Sequence, residues 1–136
     1  QSHVSWIEQF KELQKNVAKP SAFLQNLKID FFSKRIFVFT PKGAVIDLPE
    51  DSSVIDFAYA VHSDIGNHAS GAKVNGKYSK LETKLHNGDI VAIETNEKAV
   101  PNGKWLDSAK TTLARRHVRK YLDDNSLLNK FIQRFR

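Results

Sequence analysis

Apolar and polar positions alternate from Arg35 to Thr40, with Ile36 and Val38 on one face and Phe37 and Phe39 on the other, which predicts a short strand. Pro41-Lys42-Gly43 predicts a turn, since proline presets φ and glycine accepts the positive φ of a tight reversal. Ala44, Ile46 and Leu48 then share one face of a second strand, ended by Pro49-Glu50-Asp51. Ser52 or Ser53 can cap the helix that follows, with Asp56 in its first turn reaching back toward free amides. Val54, Phe57, Ala58 and Val61 recur at helical spacing and form its apolar face.

The pattern returns to short strands beyond this helix. Gly71–Val74 reads as a strand, Asn75-Gly76 as a hairpin turn, Leu81 and Leu85 as core plugs, and Asn87-Gly88 as another turn. Asp89–Thr95 is a last strand with Val91 and Ile93 on one face. Two strands, a helix and returning strands describe an α+β unit of the β-grasp, or ubiquitin-like, kind, with one helix laid on a sheet.

The flanks read as helical. Trp6, Phe10, Leu13 and Val17 predict an amphipathic helix over Ser2–Ala18, and Ser5 with Glu8 has capping-box spacing. Lys19-Pro20 breaks it, and a second helix starts at Ser21 with Phe23, Leu24 and Leu27, before Asp30-Phe31-Phe32-Ser33 leads into the first strand. That strand is apolar on both faces, so the N-terminal helices are expected to cover part of the Phe37/Phe39 side through Phe23 and Leu27. Asn96–Gly103 is a polar linker. Trp105–Leu122 predicts a helix, Asp123-Asp124-Asn125-Ser126 interrupts it, and a last helix carries Leu127, Leu128, Phe131, Ile132 and Phe135. The expected organisation is therefore 1–33 as a helical lead-in, 34–96 as the β-grasp domain, and 97–136 as linker and helical region.

Composition narrows the chemistry. There is no cysteine, hence no disulfide, thiolate metal site or cysteine nucleophile, and no methionine, which points to an excised piece of a longer product. No apolar run approaches the roughly 18 residues that span a membrane. Residues 1–103 balance 12 Lys/Arg with 12 Asp/Glu, whereas residues 104–136 hold nine against three, so the whole net charge of +6 sits in the C-terminal arm. The β-grasp unit thus has no broad phosphate-binding field, and any nucleic acid it meets is recognised locally. On the C-terminal helix Arg115 and Arg119, and Arg116 and Lys120, are i, i+4 pairs. A charged helix face is commonly just solvated, but the one-sided charge makes phosphate contact an equal expectation.

Four phrases, FVFTPKG (Phe37–Gly43), DFAYAVHSDIG (Asp56–Gly66), GAKVNGK (Gly71–Lys77) and NGDIVAIET (Asn87–Thr95), resemble the TGS domain, in the wording of the RelA/SpoT enzymes that make and degrade (p)ppGpp. The resemblance is dense over Arg35–Thr95 and thinner through Trp105 and the helix after it. It implies a regulatory module of a bifunctional synthetase/hydrolase, without cofactor of its own, in the cytoplasm. No catalytic residue and no metal ligand is expected here. The family's His-Asp metal motif is absent, no Gly-rich phosphate loop is present, and the five histidines lack ligand spacing.

His62 is the principal candidate. From the residues alone it reads as a histidine at a helix exit, interacting with the carbonyl end of the dipole. The resemblance implies more, because the corresponding histidine in RelA-like enzymes contacts the unacylated 3′ CCA end of tRNA on a stalled ribosome. A single-stranded end offers base edges, stacking faces and ribose hydroxyls that local hydrogen bonds can read. Lys42, Lys73, Asn75 and Lys77 lie in turns or strand ends that can surround the same pocket, and solvated loop residues are an equally good account of each. Arg115, Arg116, Arg119 and Lys120 complete the RNA or partner candidates. Two departures from the family pattern stand out: Ser63 replaces a common threonine, and Asn67-His68-Ala69-Ser70 lacks the cation often found there. The alternative implied by SpoT-like members is a docking platform for acyl carrier protein or another regulator, with the basic helix meeting an acidic surface.

Overall fold

The computed structural model describes residues 3–4, 21–32 and 34–134, with the side chains of residues 24–29, 32 and 34–125. Strands β2 (Arg35–Phe39) and β3 (Val45–Pro49) form an antiparallel hairpin in which Ile36 faces Leu48 and Val38 faces Ile46. Its turn closes where the Gly43 amide donates to the Thr40 carbonyl at 3.0 Å, with Gly43 at φ 91°. A second ladder, in the order β5-β4-β6, joins β4 (Ala69–Val74) to β5 (Lys77–Ser79) and β6 (Val91–Thr95), all antiparallel. The ladders meet at a parallel bridge between Phe39 and Ile90, where the Phe39 amide donates to Asp89 O at 2.8 Å and Gly88 N to Phe37 O at 2.8 Å. Helix α2 (Val54–Val61) lies across this surface. The architecture is the expected α+β β-grasp.

The expected alternation is borne out: Ile36, Val38, Ile46 and Leu48 pack with Val54, Phe57, Ala72, Leu85 and Val91 in one core. Burying a side chain of this size stabilises by roughly 1.5–3 kcal/mol. Helix α2 goes further than one amphipathic stripe, because every residue from Val54 to Ala60 is buried. Its second side, Ile55, Ala58 and Tyr59, packs against Trp105, Ala109, Ala114 and Val118 of the C-terminal arm. The helix is thus a middle layer, consistent with a sequence apolar nearly all round.

The N-terminal flank departs from expectation in two places. His3–Val4 is not helical but forms β1, paired in parallel with Val45 and Ile46 of β3; the remainder of the helix expected over Ser2–Ala18 lies outside the described residues. Helix α1 (Ser21–Phe32) starts where expected but runs through Asp30-Phe31-Phe32. Leu27 is buried and the helix packs on the C-terminal helix, while Phe37 is 46% exposed and Phe39 half-buried. The Phe23 side chain lies outside the described residues.

The C-terminal arm breaks earlier than expected and then does not break again. It forms a one-turn helix α4 (Trp105–Ser108) and a long helix α5 (Thr112–Arg134). Between them the amides of Lys110 and Thr111 turn aside to a carboxylate on α2, and Thr111 Oγ1 accepts from Ala114 N at 3.1 Å as a cap. The Asp123–Ser126 run stays helical, and two of its polar side chains, Asp124 and Asn125, find partners one turn back. Lys120 and Asp124 pair at 3.9 Å across one turn, and Asn125 Nδ2 donates back to the Tyr121 carbonyl at 2.8 Å instead of capping a new helix. The side chains of the apolar run Leu127–Ile132 lie outside those described.

Candidate functional site

The exit of α2 is built around one residue that serves two helices. His62 leaves the helical region at φ −169°, ψ 144°; its amide closes α2 on the Ala58 carbonyl at 3.2 Å, and its carbonyl accepts Gly66 N at 3.1 Å to open helix α3 (Ser63–Asn67). The ring does not turn to the carbonyl end of α2, as the sequence alone would have it. Its Nδ1 accepts the Asp64 amide at 3.0 Å, so the imidazole is the N-cap of α3. An accepting Nδ1 places the neutral ring's proton on Nε2. With its side chain 62% exposed, His62 therefore presents an N–H donor to whatever approaches. The Asp64 carboxylate, 3.8 Å from Nδ1, is itself exposed.

The turn that carries His62 is fixed from below by Tyr59. Its hydroxyl donates to Asn67 Oδ1 at 2.8 Å, and Gly66 lies so close to its ring that a Cβ there would fall 2.2 Å from Tyr59 Cδ1. The glycine is needed for space against the ring. Tyr59 also stacks on His117 of α5, centroids 5.4 Å apart and planes 2° from parallel. Burial pushes the Tyr59 phenol well above its ordinary value, so it remains a hydroxyl donor.

At the other end of α2, Ser53 and Asp56 form the expected capping box, Ser53 N donating to Asp56 Oδ2 at 2.8 Å. The carboxylate does more than the local spacing announced. Lys110 N donates to Asp56 Oδ1 at 3.0 Å and Oδ2 at 2.9 Å, and Thr111 N and Oγ1 each donate to Oδ1 at 2.9 Å. Asp56 is fully buried. Burial pushes its carboxyl above the usual value, and hydrogen bonds from Ser53, Thr111 and Lys110 oppose that rise. This carboxylate pins the C-terminal arm to the start of α2. An open cleft of about 360 Å³ lies beside it, lined in part by Asp51, Lys84 and Lys110.

The remaining candidates separate into distinct surfaces. Asn75, at φ 54°, spends its side chain on the fold: Nδ2 donates to Asp89 Oδ1 at 2.9 Å and Oδ1 accepts Ile90 N at 3.0 Å. Asp89 also accepts Phe39 N through its carbonyl, so the turns of Lys42 and Asn75 share one end of the sheet. Lys42 and Lys77 are exposed there, and the Lys73 ammonium sits 4.6 Å over the Tyr78 ring. Asn75 follows the end of β4, about 20 Å along the strand from Ala69, where the His62 turn enters. On α5 the four cations do not form one solvated face. Arg115 is turned inward, Nη1 donating to the carbonyls of Leu106 and Ala109, where it closes α4. Arg116 is half-buried, and Arg119 and Lys120 are exposed. Among the described residues no His/Cys/Asp/Glu cluster could hold a metal ion, and no helix is long and apolar enough to cross a membrane.

Sequence reasoning missed the long-range roles of Asp56, Tyr59, Gly66 and His117. A capping-box aspartate shows its helix start in the sequence, but nothing local announces partners 54 and 55 residues away.

Comparison with known proteins agrees with this geometry. The TGS domain model matches residues 36–95. The chain is 43% identical over 118 residues to a GTP pyrophosphokinase of Myxococcus xanthus, covering 87% of this chain and 16% of that protein. It is 41% identical over 118 residues to a guanosine-3′,5′-bis(diphosphate) 3′-pyrophosphohydrolase of Aquifex aeolicus, covering 87% and 17%. A bifunctional (p)ppGpp synthase/hydrolase RelA of Mycobacterium tuberculosis is 40% identical over 120 residues, with 87% and 16% covered. The chain thus spans about one sixth of the length of these relatives, and the matched part is the TGS domain and not a catalytic one. A β-grasp unit over residues 36–95, with homology through the flanking helices, makes this chain a TGS-bearing member of the RelA/SpoT (p)ppGpp synthetase/hydrolase family.

Proposed function

We propose that this chain is the regulatory, RNA-sensing module of a (p)ppGpp enzyme, and that it reads the 3′ CCA end of deacylated tRNA. In this reading residues 34–96 are the sensing unit, with 1–33 and 97–136 connecting it to the rest of a cytoplasmic, ribosome-associated protein. The reaction under control is pyrophosphate transfer from ATP to GDP or GTP, with hydrolysis of the product, in catalytic domains of the parent chain.

One observation carries the reading: His62 is exposed at a helix junction, and the cap bond to Nδ1 leaves its Nε2–H to act as a donor. Ribose oxygens and base-edge acceptors of a single-stranded end suit that donor. An aminoacyl ester on the terminal ribose adds bulk where the ring must approach, so charged ends are disfavoured by exclusion. The exposed Arg119 and Lys120 add phosphate contacts, and the near-neutral β-grasp unit leaves the specific step to His62.

Removing the imidazole tests this. His62→Asn keeps an N-cap for Asp64 and loses the ring, whereas His62→Ala loses both. Titration with a CCA-ended oligonucleotide is expected to show both variants bound about 3- to 10-fold more weakly, the worth of one hydrogen bond. The urea midpoint of the Asn variant should match the wild type. Unchanged affinity in both variants would remove His62 from the interface. Docking of an acidic partner such as acyl carrier protein is the second reading, favoured only by the exposed Arg119 and Lys120 on α5. It predicts that substituting those two cations abolishes capture while the His62 variants bind normally.

A further inference from the structure

The His62 turn has little structure of its own. Helix α3 is five residues long, one and a half turns, too short to hold an imidazole in one orientation unaided. Its anchors are external: Ile65 packs against the layer of Trp105, Ala114 and Val118, Asn96 N donates to the His68 carbonyl at 3.0 Å, His68 Nδ1 bonds the Ala99 carbonyl at 3.0 Å, and Tyr59 both donates to Asn67 and lies against Gly66. The two nearest the middle of the turn, at Gly66 and Asn67, run through Tyr59. The Tyr59 ring is in turn stacked on the His117 imidazole. His117 lies on α5, more than fifty residues further along the chain, and α5 is held to α2 by the Asp56 bonds to Lys110 and Thr111.

We propose that Tyr59 and His117 are positioning residues for His62, so that the C-terminal helix sets which nitrogen of the His62 ring is offered to a ligand. The linkage is physical at each step. His117 stacks on the Tyr59 ring; Tyr59 holds Gly66 and Asn67; those residues hold α3; and the Asp64 amide at the start of α3 keeps the proton on Nε2 of His62. If the tier loosens, the Asp64 amide no longer faces Nδ1, and the exposed imidazole samples both tautomers. The fraction with the proton on Nδ1 then presents an acceptor in place of a donor. The linkage is also reciprocal, as any coupling free energy must be: a ligand that selects the Nε2–H form favours the stacked arrangement of α5. The importance of this coupling for recognition rests on His62 being the group that meets the RNA end, whereas the coupling itself does not.

The experiment reads the two separately. Long-range ¹⁵N–¹H spectra of the 136-residue chain report the protonation of each histidine nitrogen, and amide exchange reports the Asp64 N–H. In the wild type, His62 is expected to show a protonated Nε2 and an accepting Nδ1. Tyr59→Phe, which removes only the hydroxyl, and His117→Ala are each expected to give mixed His62 tautomers and at least about tenfold faster Asp64 exchange, equivalent to 1.4 kcal/mol of lost protection. His117→Phe, which can still stack, should restore the wild-type pattern, and His86, remote from the tier, should be unchanged throughout. A merely structural role for Tyr59 and His117 would lower the urea midpoint without altering the His62 tautomer. Wild-type nitrogen shifts and Asp64 exchange in both Tyr59→Phe and His117→Ala would overturn the proposal. Altered tautomers together with no binding of CCA-ended RNA by the wild type would leave the positioning role standing and sink the recognition reading instead.

Discussion

Asp56→Ala is expected to destabilise the chain by about 3 kcal/mol, the range observed when one partner of a buried polar cluster is removed. The carboxylate accepts the backbone amides of Ser53, Lys110 and Thr111 and both neighbouring hydroxyls at a fully buried position. Its removal relieves the desolvation of a buried charge, which offsets part of the loss. It also leaves three amides without an acceptor, and backbone donors cannot rotate to find another. Asp56→Asn separates charge from acceptor count. Each carboxylate oxygen takes at least one backbone amide, so either orientation of the asparagine points its NH₂ at an N–H. About 2 kcal/mol of destabilisation is therefore expected from a neutral, nearly isosteric change. Urea denaturation followed by Trp105 fluorescence measures both, because Trp105 is buried against α2 in the layer this carboxylate anchors. An Asn variant as stable as the wild type would show that only one oxygen matters.

Gly66→Ala is the second large effect, again about 3 kcal/mol, the upper part of the usual overpacking range. The new methyl would meet Tyr59 at 2.2 Å from Cδ1, 2.4 Å from Cγ and 2.5 Å from Cε1, all ring atoms and none of them a flexible tip. The ring has little room to retreat, since its hydroxyl is tied to Asn67 and it stacks on His117. Shrinking the ring should relieve the clash. The double variant Gly66→Ala/Tyr59→Leu is expected to lose clearly less than the sum of its parts in the same denaturation assay. Full additivity would mean that the helix, and not the ring, gives way.

Much of this arrangement is written locally. The alternation of Ile36 and Val38 with Phe37 and Phe39 identified the core face, and Ser53 with Asp56 identified the start of α2, since both signals lie within a few residues of one another. What escaped is what depends on distant partners. The Asp123–Ser126 run carries the composition of a break, yet one ion pair and one back-bonded asparagine suffice to keep α5 continuous. Arg115 reads as part of a cationic row, but its reach to the Leu106 and Ala109 carbonyls appears only once α4 folds against α5. His62 was legible as a helix exit and not as the cap of the next helix, because α3 has no periodic signal of its own. Gly66 stood out only through the motif that contains it; its physical reason is a ring seven residues earlier in the chain.

In the proposed function, an imidazole held with its donor outward distinguishes a bare ribose end from an esterified one. The most direct measurement is a titration of this chain, at fixed salt, with a CCA-ended oligonucleotide in its free form and in its 3′-aminoacylated form. About tenfold or tighter binding of the free end is the expected result, equivalent to roughly 1.4 kcal/mol of exclusion. Equal affinity for the two forms would contradict it.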